Sequence, residues 1–249
     1  MFVIQTNHFV NKTVTEFFAK GCYGKLVNIN DYYFKDSDTL ATYGILRGTG
    51  ELLKKAKNFY YIDHGYFALS NRTFVGKATI VKELNGYFKI IKNDFVGFIK
   101  GNFDSARLKK INLEFKPKRT SGEFIILSVN TDHTYNFFGV KNWVENTINE
   151  LKKYTDRKIY LHKKDSEVPL DYLFKKAWAF VSFSSSAGFT AMINGVPAYF
   201  THKNLKNINS INNIEKGDLN YDIFKNLSYS QWTLNEMSSG EAWDCISKK

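Results

Sequence analysis

The sequence is poor in cysteine, proline and long apolar runs, and each shortage excludes a class of protein. Its 249 residues include only two cysteines and three prolines. Cys22 and Cys245 lie near opposite ends of the chain, without CxxC or Cys/His spacing, so we expect reduced cysteines and no thiolate metal site. Because no uninterrupted apolar stretch reaches about 18 residues, no membrane helix is predicted. Hydrophobic residues make up 43% of the chain and exclude a disordered protein.

Acidic residues are also in short supply. The chain has 24 Asp and Glu against 35 Lys and Arg, which gives a net charge of +11. This surplus is compatible with a polyanionic partner, and the Lys- and Asn-rich composition of an AT-rich genome explains it equally well. The N-terminus, MFVIQTNHFV, lacks the basic stretch, long apolar run and cleavage site of a signal peptide. We therefore expect a cytoplasmic protein without membrane contact; its oligomeric state is left open.

The most informative segment covers residues 171–200. Its apolar stretch WAFVSF (178–183) predicts a strand that is covered on both faces. Three serines at 184–186 then provide hydroxyls where a helix begins, and Gly-Val-Pro at 195–197 ends that helix before another strand, AYF. The free N–H groups in the first turn of such a helix attract anions, so the serine turn predicts a phosphate site.

A strand, Ser-Ser-x-Gly, an apolar helix and Gly-x-Pro, in this order, resemble the donor-binding half of GT-B glycosyltransferases, and most closely the capsule-polysaccharide sugar transferases. The resemblance implies an α/β fold of two Rossmann-like units facing a cleft, with a C-terminal helical tail that returns to the first domain. It also implies a nucleotide-sugar co-substrate, with a UDP-sugar as the expected donor. Another phosphate site and a purely architectural turn remain open. A hydrolase nucleophile elbow is disfavoured, because no acid lies between Ser186 and His202, the one histidine that follows it.

Elsewhere the chain alternates predicted strands and helices, as a parallel sheet with helices on both faces requires. Strands are predicted at 1–6, 25–29, 40–45, 59–63, 122–129 and 158–162, and helices at 13–21, 51–58 and 142–154. Residues 130–139 are predicted to form a loop, and 228–246 a helix pair with Trp232 and Trp243 on its apolar face. The basic, Pro- and Gly-containing stretch 116–122 predicts a linker. It divides the chain into an acceptor-binding domain, 1–118, and a nucleotide-sugar-binding domain with the helical tail, 119–249.

Polar residues follow the apolar strand FYYI in the first domain. Asp63 and His64 are therefore expected at the carboxyl edge of the sheet, where α/β active sites form. Either is a candidate base for taking a proton from an acceptor hydroxyl, and the competing interpretation is an Asp that caps the next turn. Arg47 and Thr49, in the loop RGTG, and Tyr66 are candidate acceptor-binding residues. That loop matches no Walker or dinucleotide pattern, so a structural turn and a ligand loop are equally favoured.

Donor-binding candidates share a position directly after a predicted strand of the second domain. Lys163 would neutralise a departing diphosphate, although a solvated surface lysine is the competing interpretation. No D-x-D carboxylate pair lies in a position to suggest a divalent metal, so metal dependence is not predicted. No other cofactor is expected to be required. The donor-binding candidates are Asn130, His133, Lys163, Ser184, Ser185 and Ser186.

These features predict a glycosyltransferase that moves a sugar from a nucleotide-sugar donor to an acceptor hydroxyl. YIDHGYF and the tail pattern QWTLNEMSSGEAW are similar to small bacteriophage DNA glycosyltransferase-like proteins. That resemblance implies hydroxymethylpyrimidine in phage DNA as the acceptor, with basic side chains on the duplex phosphates. The alternative is a non-catalytic nucleic-acid-binding α/β protein, although no helix-turn-helix, zinc-finger or RRM signature is present.

Overall fold

The computed structural model describes residues 1–67, 72–75, 78–81 and 84–248, with the backbone alone for 72–75 and 78–81. The strands are β1 (Phe2–Gln5), β2 (Lys25–Asn28), β3 (Thr39–Tyr43), β4 (Asn58–His64), β5 (Arg72–Val75), β6 (Ala78–Val81), β7 (Phe88–Lys92), β8 (Phe124–Ser128), β9 (Lys158–His162), β10 (Ala177–Ser182), β11 (Ala198–Phe200) and β12 (Gln231–Trp232). The helices are α1 (Phe9–Cys22), α2 (Thr49–Lys55), α3 (Ala106–Ile111), α4 (Asp132–Phe138), α5 (Trp143–Leu151), α6 (Leu170–Phe174), α7 (Ala187–Ile193), α8 (Ile223–Ser228), α9 (Leu234–Ser238) and α10 (Glu241–Ile246). In the described part of the chain, no helix combines the length and apolarity needed to cross a membrane.

The chain forms two compact α/β units. Unit 1 comprises residues 1–111 and 223–249, and unit 2 comprises residues 112–222. This division differs from the predicted one in two ways. The stretch 116–119 belongs to unit 2, because the Lys116 and Arg119 N–H groups donate to Ile193 O and Gly195 O at 2.8 and 2.9 Å. The tail belongs to unit 1, because β12 pairs with β7 and α9 packs on α1.

Unit 1 contains a six-stranded sheet in the order β12-β7-β4-β3-β1-β2. Strands β1 to β4 are parallel to one another, whereas β7 runs antiparallel to β4. The carboxyl ends of the four parallel strands therefore meet at one edge of the sheet. One face packs against α1 and the tail through buried residues such as Phe18 and Trp232, and the other carries Tyr61 and packs against Leu53 of α2. Each side chain of this size that is fully buried stabilises the fold by about 1.5–3 kcal/mol.

Gly21 allows α1 to approach the tail closely. A Cβ atom built on Gly21 would lie 1.7 Å from the backbone oxygen of Met237 in α9. A side-chain rotation cannot relieve this contact, because the Met237 oxygen belongs to the backbone. One of the two packed helices would have to shift.

We expect Gly21→Ala to destabilise the protein by about 1–3 kcal/mol, as overpacked cores do. Helix propensity alone predicts the opposite sign, a gain of about 1 kcal/mol for Gly to Ala. The free energy of unfolding in urea distinguishes the two, and a variant more stable than the wild type would contradict the close approach.

Unit 2 contains a four-stranded sheet in the order β11-β10-β8-β9, and all four strands are parallel. Every residue of β8, β10 and β11 is buried, as predicted for strands covered on both faces. Residues 132–138, predicted as part of a loop, instead form α4. The Thr131 side chain accepts a hydrogen bond from Thr134 N at its start, and Gly139 ends it in the left-handed conformation with φ 66°.

Candidate functional site

Asp63 lies near the carboxyl end of β4, on the face of the sheet that carries Tyr61. The Tyr61 hydroxyl donates to Asp63 Oδ2 at 2.7 Å, and the His64 N–H donates to Oδ1 at 2.8 Å. Lys89 is the residue directly across from Asp63 on β7, and its Nζ lies 4.0 Å from Oδ2. The Asp63 side chain remains 32% exposed. The carboxylate is thus fixed by two hydrogen bonds and partly open to solvent at the sheet edge.

The surroundings of Asp63 favour its ionised form. Burial would raise its pKa, but the Lys89 ammonium, the charge of His64 and the two hydrogen bonds outweigh burial and hold the pKa below its ordinary value. Burial, followed by the negative charge of Asp63, raises the pKa of Tyr61 well above its usual range, so Tyr61 keeps its proton and remains a donor. An ionised carboxylate in this position can accept a proton or stabilise developing positive charge.

His64 points to the opposite face of the sheet, because successive strand residues alternate. Its Nε2 lies 2.8 Å from the Tyr43 hydroxyl, and its ring stacks on Phe88 with centroids 5.9 Å apart. Phe88 belongs to the core beneath α1. The structure therefore separates the two candidates that the sequence left together, and Asp63 is the one on the Lys89 side of the sheet.

The three predicted acceptor-binding residues have different surroundings. Arg47 is exposed and adopts the left-handed conformation with φ 60°, in the loop that follows β3. Thr49 is fully buried, and its hydroxyl donates to Gly44 O and Leu46 O at 2.8 and 2.6 Å. Tyr66 is 3% exposed, and its hydroxyl donates to Gly97 O. Thr49 thus stabilises the loop after β3, and Tyr66 connects the segment after β4 to Gly97. Of the three residues, only Arg47 presents its side chain to solvent.

The serine turn follows β10, as predicted, and leads into the seven-residue helix α7. Serines 184–186 are half-buried, and the Ser185 hydroxyl accepts a hydrogen bond from Ala187 N at 3.2 Å. The Ser186 side chain makes no capping hydrogen bond. Close packing explains why two positions of the motif are glycine. A Cβ on Gly188 would lie 2.5 Å from the Phe200 ring, and one on Gly195, where φ is 77°, would lie 2.1 Å from Pro117 O.

The remaining donor candidates follow neighbouring strands of the same sheet. Asn130 lies just beyond β8; its N–H donates to the Tyr135 hydroxyl at 3.0 Å, and its buried Oδ1 has no hydrogen-bond partner among the described residues. Lys163 follows β9 and is exposed, and His133 is exposed in α4. In the described ranges no three His, Cys, Asp or Glu side chains are grouped as metal ligands.

Sequence reasoning missed Tyr61 and Lys89. Tyr61 lies two residues before Asp63 on the same face of β4, and Lys89 is brought to Asp63 by the antiparallel pairing of β4 with β7. A lysine 26 positions from Asp63 gives no local signal of this pairing.

Solved structures that resemble this chain include two KpsC transferases. KpsC of Thermosulfurimonas dismutans, a beta Kdo 2,4 transferase, is 11% identical and aligns over 92% of this chain and 90% of its own, with a TM-score of 0.51. A beta Kdo 2,7 transferase KpsC of the same organism is 12% identical and aligns over 100% of both chains, with a TM-score of 0.48. No protein-family model and no curated protein matches the sequence. The likeness to the first structure confirms the GT-B-like α/β fold predicted from the sequence.

Proposed function

We propose that this protein is a glycosyltransferase that moves a sugar from a nucleotide-sugar donor to an acceptor hydroxyl, with Asp63 as the base. The observation that carries the proposal is an oriented, partly exposed carboxylate beside Lys89 at the carboxyl edge of a parallel sheet. The fold shared with a Kdo transferase supports the same reaction class by analogy. His64, half-buried beside Phe88, is the weaker candidate for the base.

The reaction follows from what these groups do. As the acceptor oxygen bonds to the anomeric carbon, its proton passes to an Asp63 carboxylate oxygen. The bond between that carbon and the donor phosphate oxygen breaks, and its electron pair leaves with the nucleotide. Lys163 and the serines of the turn after β10 would hold and neutralise this leaving group. Asn130 Oδ1, which has no hydrogen-bond partner among the described residues, would accept a hydrogen bond from a hydroxyl group of the nucleotide-sugar.

We expect Ser185→Asp to weaken nucleotide-sugar binding at least about tenfold, because a carboxylate beside a diphosphate is repelled in a partly shielded site. Calorimetry with UDP-, GDP- and CMP-sugars measures the affinity, and thermal shift provides a second readout. Ser121→Asp, in an exposed loop of the same unit, is the matched control. Equal affinity in the wild type and Ser185→Asp, or no binding of any donor, would remove the donor site.

The acceptor is a finer proposal, and it rests on where the charge lies. Unit 1 carries 20 Lys and Arg against 12 Asp and Glu, whereas unit 2 carries 15 against 12, so unit 1 holds most of the surplus. A basic acceptor-binding unit favours a polyanionic acceptor, and we propose hydroxymethylated DNA.

Transfer of labelled sugar to hydroxymethylated DNA, unmodified DNA and an acidic polysaccharide distinguishes the acceptors. Labelling of the hydroxymethylated DNA alone supports the proposal, and labelling of the polysaccharide alone keeps the transferase while removing the DNA acceptor. Salt-sensitive DNA binding without transfer to any acceptor would instead identify a non-catalytic nucleic-acid-binding protein.

A further inference from the structure

We infer that Lys89 is a positioning residue for Asp63: it holds the carboxylate ionised and in place, and it thereby sets the acidic limit of the reaction. This inference rests on the proposed function for the catalytic consequence, but the electrostatic relation between the two residues is measurable without it.

The geometry around Lys89 is that of an enclosed cation. Its side chain is 15% exposed, about half as much as that of Asp63. Its Nζ lies 5.8 Å from the centroid of the Tyr61 ring and 5.7 Å from that of Tyr66, within the range of cation–π attraction. The two rings thus confine the ammonium group beside the carboxylate, and Asp63 is the carboxylate with which it forms an ion pair in the described part of the chain.

A fixed ammonium 4.0 Å away acts strongly on a partly buried carboxylate, because the local dielectric is lower than that of water. Among the described side chains, the titratable groups that interact with Asp63 lie on or just after β4 and on β7. Tyr61 and His64 flank it on β4, Lys89 faces it from β7, and the buried Tyr66 follows β4. Both tyrosines have raised pKa values because of burial and the charge of Asp63, so they stay neutral. Among the described residues, the Lys89 ammonium is therefore the positive charge that opposes protonation of Asp63 most strongly, ahead of the charge of His64.

The pairing also explains why a lysine is found at this position. Burial lowers the pKa of Lys89, and the negative charge of Asp63 partly restores it. An ammonium group so enclosed would be unfavourable without a counter-charge, and so would the carboxylate. Each residue thus keeps the other charged.

The test compares Lys89→Met with Lys89→Arg and with Lys92→Met, which removes an exposed lysine from the same strand. Two quantities are followed as the pH is lowered: the ¹³C shift of the Asp63 carboxyl group, and kcat/KM for sugar transfer. We expect Lys89→Met to raise the midpoint of the Asp63 titration by at least about one pH unit, tenfold in the acid dissociation constant, and to move the acidic limb of kcat/KM with it. Lys89→Arg and Lys92→Met should leave both near the wild-type values.

Each outcome decides the inference. An unchanged Asp63 midpoint in Lys89→Met, whatever happens to its melting temperature, would show that Lys89 has only a structural role. A wild-type midpoint above the ordinary value of about 3.9 would overturn the inference even if Lys89→Met failed to fold. A shifted midpoint in a protein that transfers no sugar would support the electrostatic relation while removing the proposed function.

Discussion

Replacement of Asp63 by asparagine is expected to lower kcat of sugar transfer by about 100- to 10,000-fold, the usual contribution of a general base. Asparagine has nearly the same shape as aspartate, and its side-chain oxygen can still accept the hydrogen bond from Tyr61. It lacks the charge and the basicity. The affinity for the nucleotide-sugar should stay within about threefold of the wild type, because the proposed donor-binding residues are elsewhere in the chain. Steady-state kinetics and calorimetry measure the two quantities separately.

Two further variants make this result specific. Asp36→Asn removes an exposed carboxylate from unit 1 and should leave kcat unchanged. His64→Gln removes the imidazole that contacts Tyr43 and Phe88, and it should reduce kcat less than Asp63→Asn does. A larger loss in His64→Gln would transfer the role of base to the imidazole. Full activity in both Asp63→Asn and His64→Gln would place the base elsewhere.

The fold was largely predictable because its signals are local. The strands β9 and β11 have the predicted bounds, and β8 and β10 differ from them by one or two residues. Their apolar runs are short and end in polar or glycine-containing turns, which is the pattern of a buried parallel strand. Glycines 188 and 195 were recognised as part of a motif, but their cause is steric: the Phe200 ring and Pro117 O leave no room for a side chain.

The errors concern features that depend on distant residues or on helix caps that were overlooked. Gln231 and Trp232 were predicted as part of a helix pair, but they form β12, because β7 provides an open strand edge in unit 1. The loop prediction at 130–139 overlooked Thr131 and Gly139, a good cap at each end of α4. The candidate site shows the same difference between local signals and signals that depend on distant residues. The position of Asp63 could be predicted from β4 alone, whereas its partner Lys89 depends on the pairing of two strands.

The second large effect is expected at the ion pair that fixes the tail to unit 1. The Arg107 guanidinium donates from Nη1 and Nη2 to the two Glu236 carboxylate oxygens at 3.0 and 2.8 Å, and it also donates to Ser228 O and Gln231 O. The guanidinium carbon also lies 3.6 Å from the centroid of the Trp232 ring, and Nη1 lies 3.6 Å from Oε1 of the exposed Glu241. Both charged side chains are less than a tenth exposed. Loss of Arg107 leaves the buried Glu236 carboxylate beside the exposed Lys110, and loss of Glu236 leaves the buried Arg107 beside the exposed Glu241. An exposed, solvated charge compensates a buried one less well than the buried partner does.

We therefore expect Glu236→Gln and Arg107→Met each to lower the free energy of unfolding by about 3–5 kcal/mol. Lys110→Met removes a 58% exposed lysine that donates to the same carboxylate at 2.9 Å, and it should lower that free energy by less than about 1 kcal/mol. Urea unfolding measures all three. In the double variant Arg107→Met/Glu236→Leu the loss should be smaller than the sum of the single losses, since an apolar pair needs no counter-charge. Equal losses in Lys110→Met and Arg107→Met would contradict the role of burial.

The same ion pair makes stability depend on pH in a defined direction. Burial would raise the pKa of Glu236, but the hydrogen bonds from Arg107, Thr233 and Lys110 lower it from 4.5 to about 2. A carboxyl group with a lower pKa in the folded than in the unfolded state stabilises the fold fully above its unfolded pKa and loses that contribution as the pH falls. The free energy of unfolding should thus decrease between about pH 5 and pH 2 in the wild type. In Glu236→Gln this decrease should be smaller by on the order of 3 kcal/mol, because the group that titrates is gone. An identical acid profile in the two proteins would mean that Glu236 is not held ionised by Arg107, and the tail would then be held to unit 1 mainly by its apolar contacts.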